Sequence, residues 1–122
     1  MNAPRRLRIL MADDDPMVRS SFRDFLETLG HATHVATNGQ EGIELFQDLK
    51  EELDLLITDI EMPHIDGLDL IQHVRQQDAS LPIIAVSGYL NDDHSKGLAN
   101  LSIPVFFKPL DFFEFERYLR QF

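Results

Sequence analysis

Five short runs of the chain, 7–12, 34–37, 53–58, 83–87 and 105–107, are apolar at almost every position and rich in β-branched residues. Such runs predict strands covered on both faces. The intervals between them change to helical period. After Asp15-Pro16, the residues Val18, Phe22, Phe25, Leu26 and Leu29 mark one helix face, and Gly30 stops it. Ile43, Phe46 and Leu49 form a second stripe after Thr37-Asn38-Gly39, and Leu68, Ile71 and Val74 a third. A fourth helix over 92–99 is weaker and more polar. The last starts at Asp111 with a capping-box pattern to Glu114 and the stripe Phe112, Phe115, Leu119 and Phe122.

Strict alternation of strand and helix predicts right-handed crossovers and an α/β fold, a doubly wound five-stranded parallel sheet. In open sheets of this kind ligands sit beyond the carboxyl ends of the strands. Asp13, Asp14 and Asp15 close the first strand, Asp59 the third, Ser87 the fourth and Lys108 the fifth. Residues far apart in sequence therefore converge on one edge. Asp15 is most simply a helix cap ahead of Pro16. Asp13 and Asp14 are not placed to cap, and they repel each other.

Composition narrows the chemistry. The chain has 122 residues, enough for a single core, and no cysteine, so disulfides and thiolate ligands or nucleophiles are excluded. A net charge of −10 argues against nucleic acid and suits a divalent cation or a basic partner. The opening ten residues are too short and too charged for a signal peptide. No apolar run approaches the ~20 residues that span a bilayer, so no membrane association and a cytoplasmic setting are expected. Converging carboxylates call for a hard cation, Mg²⁺ or Mn²⁺ in its place, which leaves room for a phosphate. Carboxylate, hydroxyl and ammonium together supply the parts of phosphoryl transfer. In that chemistry Asp59 is the nucleophile that becomes an aspartyl phosphate, Ser87 donates to a phosphoryl oxygen and Lys108 pairs with another.

The stretches "RILMADDDP", "LDLLITDIEMPHIDGLDL", "IIAVSGY" and "VFFKPL", in this order, make the chain resemble the receiver domains of two-component response regulators. The resemblance covers essentially all of residues 1–122, read as a single receiver domain, either stand-alone or cut from a longer protein. It implies the flavodoxin-like, CheY-like strand order 2-1-3-4-5. It further implies Mg²⁺ held by Asp14 directly, by Asp13 through water, by Asp59, and by the backbone carbonyl of Glu61. Asp59 becomes the phosphoacceptor, Ser87 the switch hydroxyl, and Lys108 the conserved-type lysine ahead of a commonly cis Pro109. The side chains of Glu61 and Tyr89 take the positions that tune phosphate loss. The implied donor is a histidine kinase or histidine phosphotransfer protein, and the implied reader a downstream protein or an output domain. Direct nucleic-acid binding is not implied, and a homodimer through the fourth and fifth helices is among the assemblies it allows.

Two departures stand out. Receivers usually carry Tyr or Phe where this chain has Val105, and Phe106 and Phe107 are read as out of phase with it. The Gly-Ala common before the fifth strand is absent, which makes the fourth helix atypical. His31, His34, His64, His73 and His94 show no metal-pair spacing and are read as surface or turn residues. Phe113 and Tyr118 fall off the last helical stripe and are read as a partner face. Two other functions remain open. One is a phosphorylation-independent docking module, favoured by Val105. The other is a phosphatase with an aspartate nucleophile, disfavoured because Glu61 stands where such enzymes place an aspartic acid.

Overall fold

In the computed structural model, which describes residues 5–122, five strands form one parallel sheet of order β2-β1-β3-β4-β5. The strands are β1 (Arg8–Ala12), β2 (Ala32–Ala36), β3 (Leu55–Asp59), β4 (Ile83–Ser87) and β5 (Val105–Phe107). The helices are α1 (Pro16–Thr28), α2 (Gly39–Leu49), α3 (Gly67–Gln77), α4 (Asp92–Asn100) and α5 (Phe112–Leu119). The signal-peptide reading of residues 1–10 falls partly on 1–4, outside the described residues. Among the described residues no helix is long and apolar enough to cross a membrane.

The apolar strands serve two cores because alternate side chains leave opposite faces of a strand. Leu10, Leu56, Ile83 and Ala85 meet Phe46 of α2, Ile71 of α3 and Leu98 of α4 on one face. Ile9, Met11, Ile57 and Val86 meet Phe22 of α1 and Phe115 of α5 on the other. Phe22 and Phe115 cross edge to face at 5.2 Å, a favoured aromatic geometry. In α3 the buried set is Leu70, Ile71 and Val74, while Leu68 is only partly covered.

Strand boundaries differ from the sequence reading where ladder pairing extends a strand or a side chain takes a backbone group. β2 starts at Ala32 rather than 34 because the ladder to β1 already forms there, with Arg8 opposite Ala32 and Thr33 opposite Ile9. β3 starts at Leu55 rather than 53, since the Asp54 carboxylate takes the Arg8 N–H at 2.8 Å. It also runs one residue further, so Asp59 lies within the ladder, opposite Val86. His31 and His94 are not surface residues. His31 is buried and accepts the Leu7 N–H at Nδ1 (3.0 Å), and His94 turns inward onto α3.

The caps explain where the helices stop. Asp15 caps α1 by accepting from Met17 and Val18, with Pro16 in the first turn. Gly30, at φ 96°, closes α1 in a Schellman turn, with Gly30 N–H on Glu27 O and His31 N–H on Leu26 O. Asp111 caps α5 through Phe113 and Glu114, but the reciprocal half of the predicted box is not formed. A full box forms instead at α3, between Asp66 and Asp69. The missing glycine before β5 also has its explanation. Ser102 takes the left-handed conformation (φ 57°), with its N–H on Ala99 O and the Ile103 N–H on Leu98 O. The same turn is made with a residue that disfavours it. Ser102→Gly is expected to raise stability by ~0.5–1 kcal/mol in urea unfolding, with no change in the slope against denaturant.

Candidate functional site

The carboxyl edge of the sheet brings the predicted residues together. Asp13 follows β1 directly, Asp59 ends β3, Ser87 ends β4, and Lys108 follows β5. Register places them side by side: Asp59 lies opposite Val86, and Ser87 lies opposite Phe107. Asp13 and Asp59 are 3% and 6% exposed, so both carboxylates have lost most of their water. The Lys108 Nζ sits between them, 3.1 Å from Asp13 Oδ2 and 3.3 Å from Asp59 Oδ2. The Lys108–Pro109 bond is cis.

The loops are fixed by backbone contacts. Asp13 Oδ1 accepts the Asp15 N–H at 2.9 Å, and Arg19 of α1 reaches back to donate to the Asp13 carbonyl at 2.9 Å. The Lys108 N–H donates to Ser87 O at 2.8 Å, which couples β5 to β4 at the site. Gly67, the first residue of α3, lies flat against the Asp59–Ile60 peptide. A Cβ there would stand 1.9 Å from Asp59 O, so only glycine lets α3 approach.

Charge in this cluster is out of balance. Asp13, Asp14 and Asp59 each offer an oxygen within 4.8 Å of the others, and among the described residues one ammonium, that of Lys108, pairs with them. Burial, followed by the neighbouring Asp13 carboxylate, raises the pKa of Asp59 to about 6 against the pull of Lys108. For Lys108 burial works against the charge, but Asp59 and Asp13 outweigh it and hold its pKa above the ordinary lysine value. Three clustered carboxylates fit a hard divalent cation and do not fit an anion. Asp14, the exposed member, leaves one side of the cluster open to solvent.

The remaining predicted residues divide. Ser87 is fully buried, and its hydroxyl is committed to its own loop, donating to Tyr89 O at 2.6 Å and accepting the Tyr89 N–H at 3.2 Å. The side chains of Glu61 and Tyr89 are exposed beside the site. Val105 packs against the core below α4. Phe107 is not out of phase with it: side chains alternate along β5, so Phe107 shares the Val105 face. It lies in the Ser87 row, 58% exposed. Phe106 faces the other way and stacks on Tyr118 at 5.1 Å. Tyr118 is thus half-buried against the α5 core, while Phe113 stays 76% exposed.

The family profile described as "Response regulator receiver domain" matches residues 9–119. The chain belongs to that family. The receiver is 35% identical over 118 residues to the probable C4-dicarboxylate response regulator DctR of Bacillus subtilis, a match covering 94% of this chain and 50% of that protein. It is 36% identical over 108 residues to the sensor protein EvgS of Escherichia coli, covering 88% of this chain but 9% of EvgS. The chain therefore spans half or less of these curated relatives. Among solved structures, a response regulator receiver protein from Pseudomonas putida superposes with a TM-score of 0.86 at 28% identity, over 97% of this chain and 98% of that one. The fold is that of the CheY-like receivers, and the family is one of phosphoacceptor switches in two-component signalling rather than of classical enzymes.

Four features at or beside the receiver site were missed from the sequence. Arg19 carried no signal, because one basic residue on an amphipathic helix has many uses. The Phe107 phase was legible from period-two alternation alone. The Asp66–Asp69 box was legible from its spacing, but the contact of His94 with Asp66 was not. The burial of Asp59 beside Asp13 sets a pH dependence. Because Asp59 binds its proton more tightly folded (about 6) than at its ordinary value of 3.8, the metal-free folded state holds the extra proton between these limits. Its stability falls as pH rises through that window, by ~2–3 kcal/mol, and the penalty persists above it. The difference in unfolding free energy between Asp59→Asn and wild type should therefore grow from pH 4 to pH 7; a flat difference would contradict the burial penalty.

Proposed function

We propose that Asp59 accepts a phosphoryl group from a phosphohistidine of a histidine kinase or histidine phosphotransfer protein, and that the receiver thereby switches a surface read by a downstream protein or output domain. The observation that carries this reading is the buried Asp59 carboxylate at the sheet edge, with the Lys108 ammonium 3.3 Å away and two further aspartates around it. In the transfer, an Asp59 carboxylate oxygen forms a bond to phosphorus as the phosphorus–nitrogen bond breaks. The imidazole leaves with that electron pair. Lys108 offsets the charge on the transferring oxygens, and Ser87, once released from Tyr89, donates to one of them.

Asp13, Asp14, Asp59 and the backbone carbonyl of Glu61 are the groups that would hold Mg²⁺, or Mn²⁺. Bound there, the ion supplies the positive charge that one lysine cannot, screening the carboxylates from the incoming phosphoryl oxygens. Asp13 and Lys108 hold one another in place for this task, and Arg19 fixes the backbone that carries Asp13 and Asp14. The exposed Glu61 and Tyr89 side chains flank the phosphoryl position and govern access of water to it. Phe107 and Phe113, large apolar groups left exposed, belong in this reading to the partner surface. The setting is cytoplasmic, where phosphohistidine donors act.

Incubation with acetyl phosphate and Mg²⁺ is expected to give a covalent, acid-labile, hydroxylamine-sensitive adduct on wild type and none on Asp59→Asn. Lys108→Ala should slow its formation by about 100-fold. An adduct that persists in Asp59→Asn would overturn the assignment. A partner that binds equally with and without beryllofluoride would favour the docking module instead.

A further inference from the structure

Two arms leave the candidate site side by side. One runs from Asp59 to Asp66, the cap of α3, and the other from Ser87 to His94 in the first turn of α4; each spans eight residues. Their bases are joined by the β3–β4 ladder, with Asp59 opposite Val86 and the Ile60 N–H on Val86 O at 3.2 Å. Their far ends are joined by His94 Nε2 and Asp66 Oδ2, 2.9 Å apart and largely shielded from solvent. Ladder, arms and side-chain contact thus close a ring on one side of the site, with Asp59 and Ser87 at its base.

The ring is tight at each corner. Asp66 uses its other oxygen to accept the Asp69 N–H at 2.9 Å, so its carboxylate is held in direction. Gly67, next to it, rests against the Asp59 carbonyl and donates its N–H to Ile60 O at 2.9 Å. On the other arm, Asn91 accepts the His94 N–H at 2.7 Å and fixes the backbone from which the imidazole projects. Among the described residues the second ring nitrogen of His94 is buried with no partner, and Asp66 is the one polar contact of the imidazole. Little else anchors this end of α4: its one buried apolar side chain is Leu98, a turn further on, and Gly97 packs on Leu68 of α3.

We propose that His94 and Asp66 form a latch that holds the Ser87 arm in its resting arrangement, an inference that rests on the phosphoacceptor reading of Asp59. In that arrangement the Ser87 hydroxyl is engaged with Tyr89 at both its donor and acceptor sides. To serve a phosphoryl group on Asp59, Ser87 must release Tyr89 and residues 88–91 must shift. The latch fixes the far end of that segment to the arm that carries Asp59, so the shift either strains it or breaks it. Removing the latch frees α4 and lowers the cost of the shift. His94 is in this sense a positioning residue that acts through Ser87.

Three variants separate this role from simple structural support. His94→Leu keeps the volume but removes the donor. Asp66→Ser keeps a helix cap whose oxygen is too short to reach His94. His94→Gln restores an N–H donor near the position of Nε2. Amide hydrogen exchange on ligand-free protein is expected to be about tenfold faster over residues 92–96 in the first two variants, unchanged in α2, and near wild type in His94→Gln. Titration with beryllofluoride and Mg²⁺ should show ~3–10-fold tighter binding in His94→Leu and Asp66→Ser, again reversed by His94→Gln. Unchanged exchange in both, or weaker beryllofluoride binding in both, overturns the latch. Wild type that binds no beryllofluoride overturns the phosphoacceptor reading and the regulatory role with it, while the exchange data decide by themselves whether the pair holds α4.

Discussion

One ammonium placed between two buried carboxylates is the interaction on which the site depends. At an effective dielectric of about 20, opposite unit charges at this range attract by roughly 5 kcal/mol, and the two carboxylates repel by a comparable amount. Lys108 therefore makes the burial of Asp13 and Asp59 tolerable without cancelling their charge, and Asp14 adds a third carboxylate that it does not reach. Burial first, and then the Asp13 charge, raise the pKa of Asp59 despite Lys108. A site left short of positive charge, and open on the Asp14 side, fits a hard cation.

That arrangement requires three strands to end at the same level. Parallel pairing delivers it, because every carboxyl end of a parallel sheet lies on one edge, and the ladder reaches Asp59 and Ser87 themselves. The surrounding contacts keep the edge from relaxing. Arg19 holds the Asp13 carbonyl, Gly67 brings α3 flush with the Asp59 peptide, and the Lys108 N–H returns to Ser87. The cores below are correspondingly rigid, with Phe22, Phe46 and Phe115 fully covered.

Stability is distributed unevenly around this edge. α1 ends in a glycine turn and packs its aromatic face on α5, whereas α4 buries one apolar side chain and ends on Ser102 in a disfavoured backbone conformation. The least anchored helix is thus the one attached to the Ser87 loop, which is where a switch needs mobility. Phe107 adds to this region an exposed ring in the Ser87 row, although Val105 occupies the usual aromatic position.

The sequence by itself determined the alternation of elements, the doubly wound class and the convergence of Asp13, Asp14, Asp59, Ser87 and Lys108. These follow from local periodicity and from the rule that parallel strands share a carboxyl edge. Asp15 with Pro16, and Gly30, were legible for the same reason: caps are written within a few residues. Strand limits at Asp54 and Asp59 were decided by tertiary contacts: the Asp54 carboxylate takes the Arg8 N–H ahead of β3, and pairing with Val86 extends β3 to Asp59. His31 and His94 were read as surface or turn residues; His31 does lie in the turn after α1, but the burial of both was missed because a lone histidine carries no periodic signal and its burial depends on which element packs over it. The orientation of Ser87 toward Tyr89 and the meeting of His94 with Asp66 depend on how two loops lie against each other. Only the folded chain fixes that, because hydrogen bonds between arms 28 residues apart are set by distance in space rather than by spacing along the sequence.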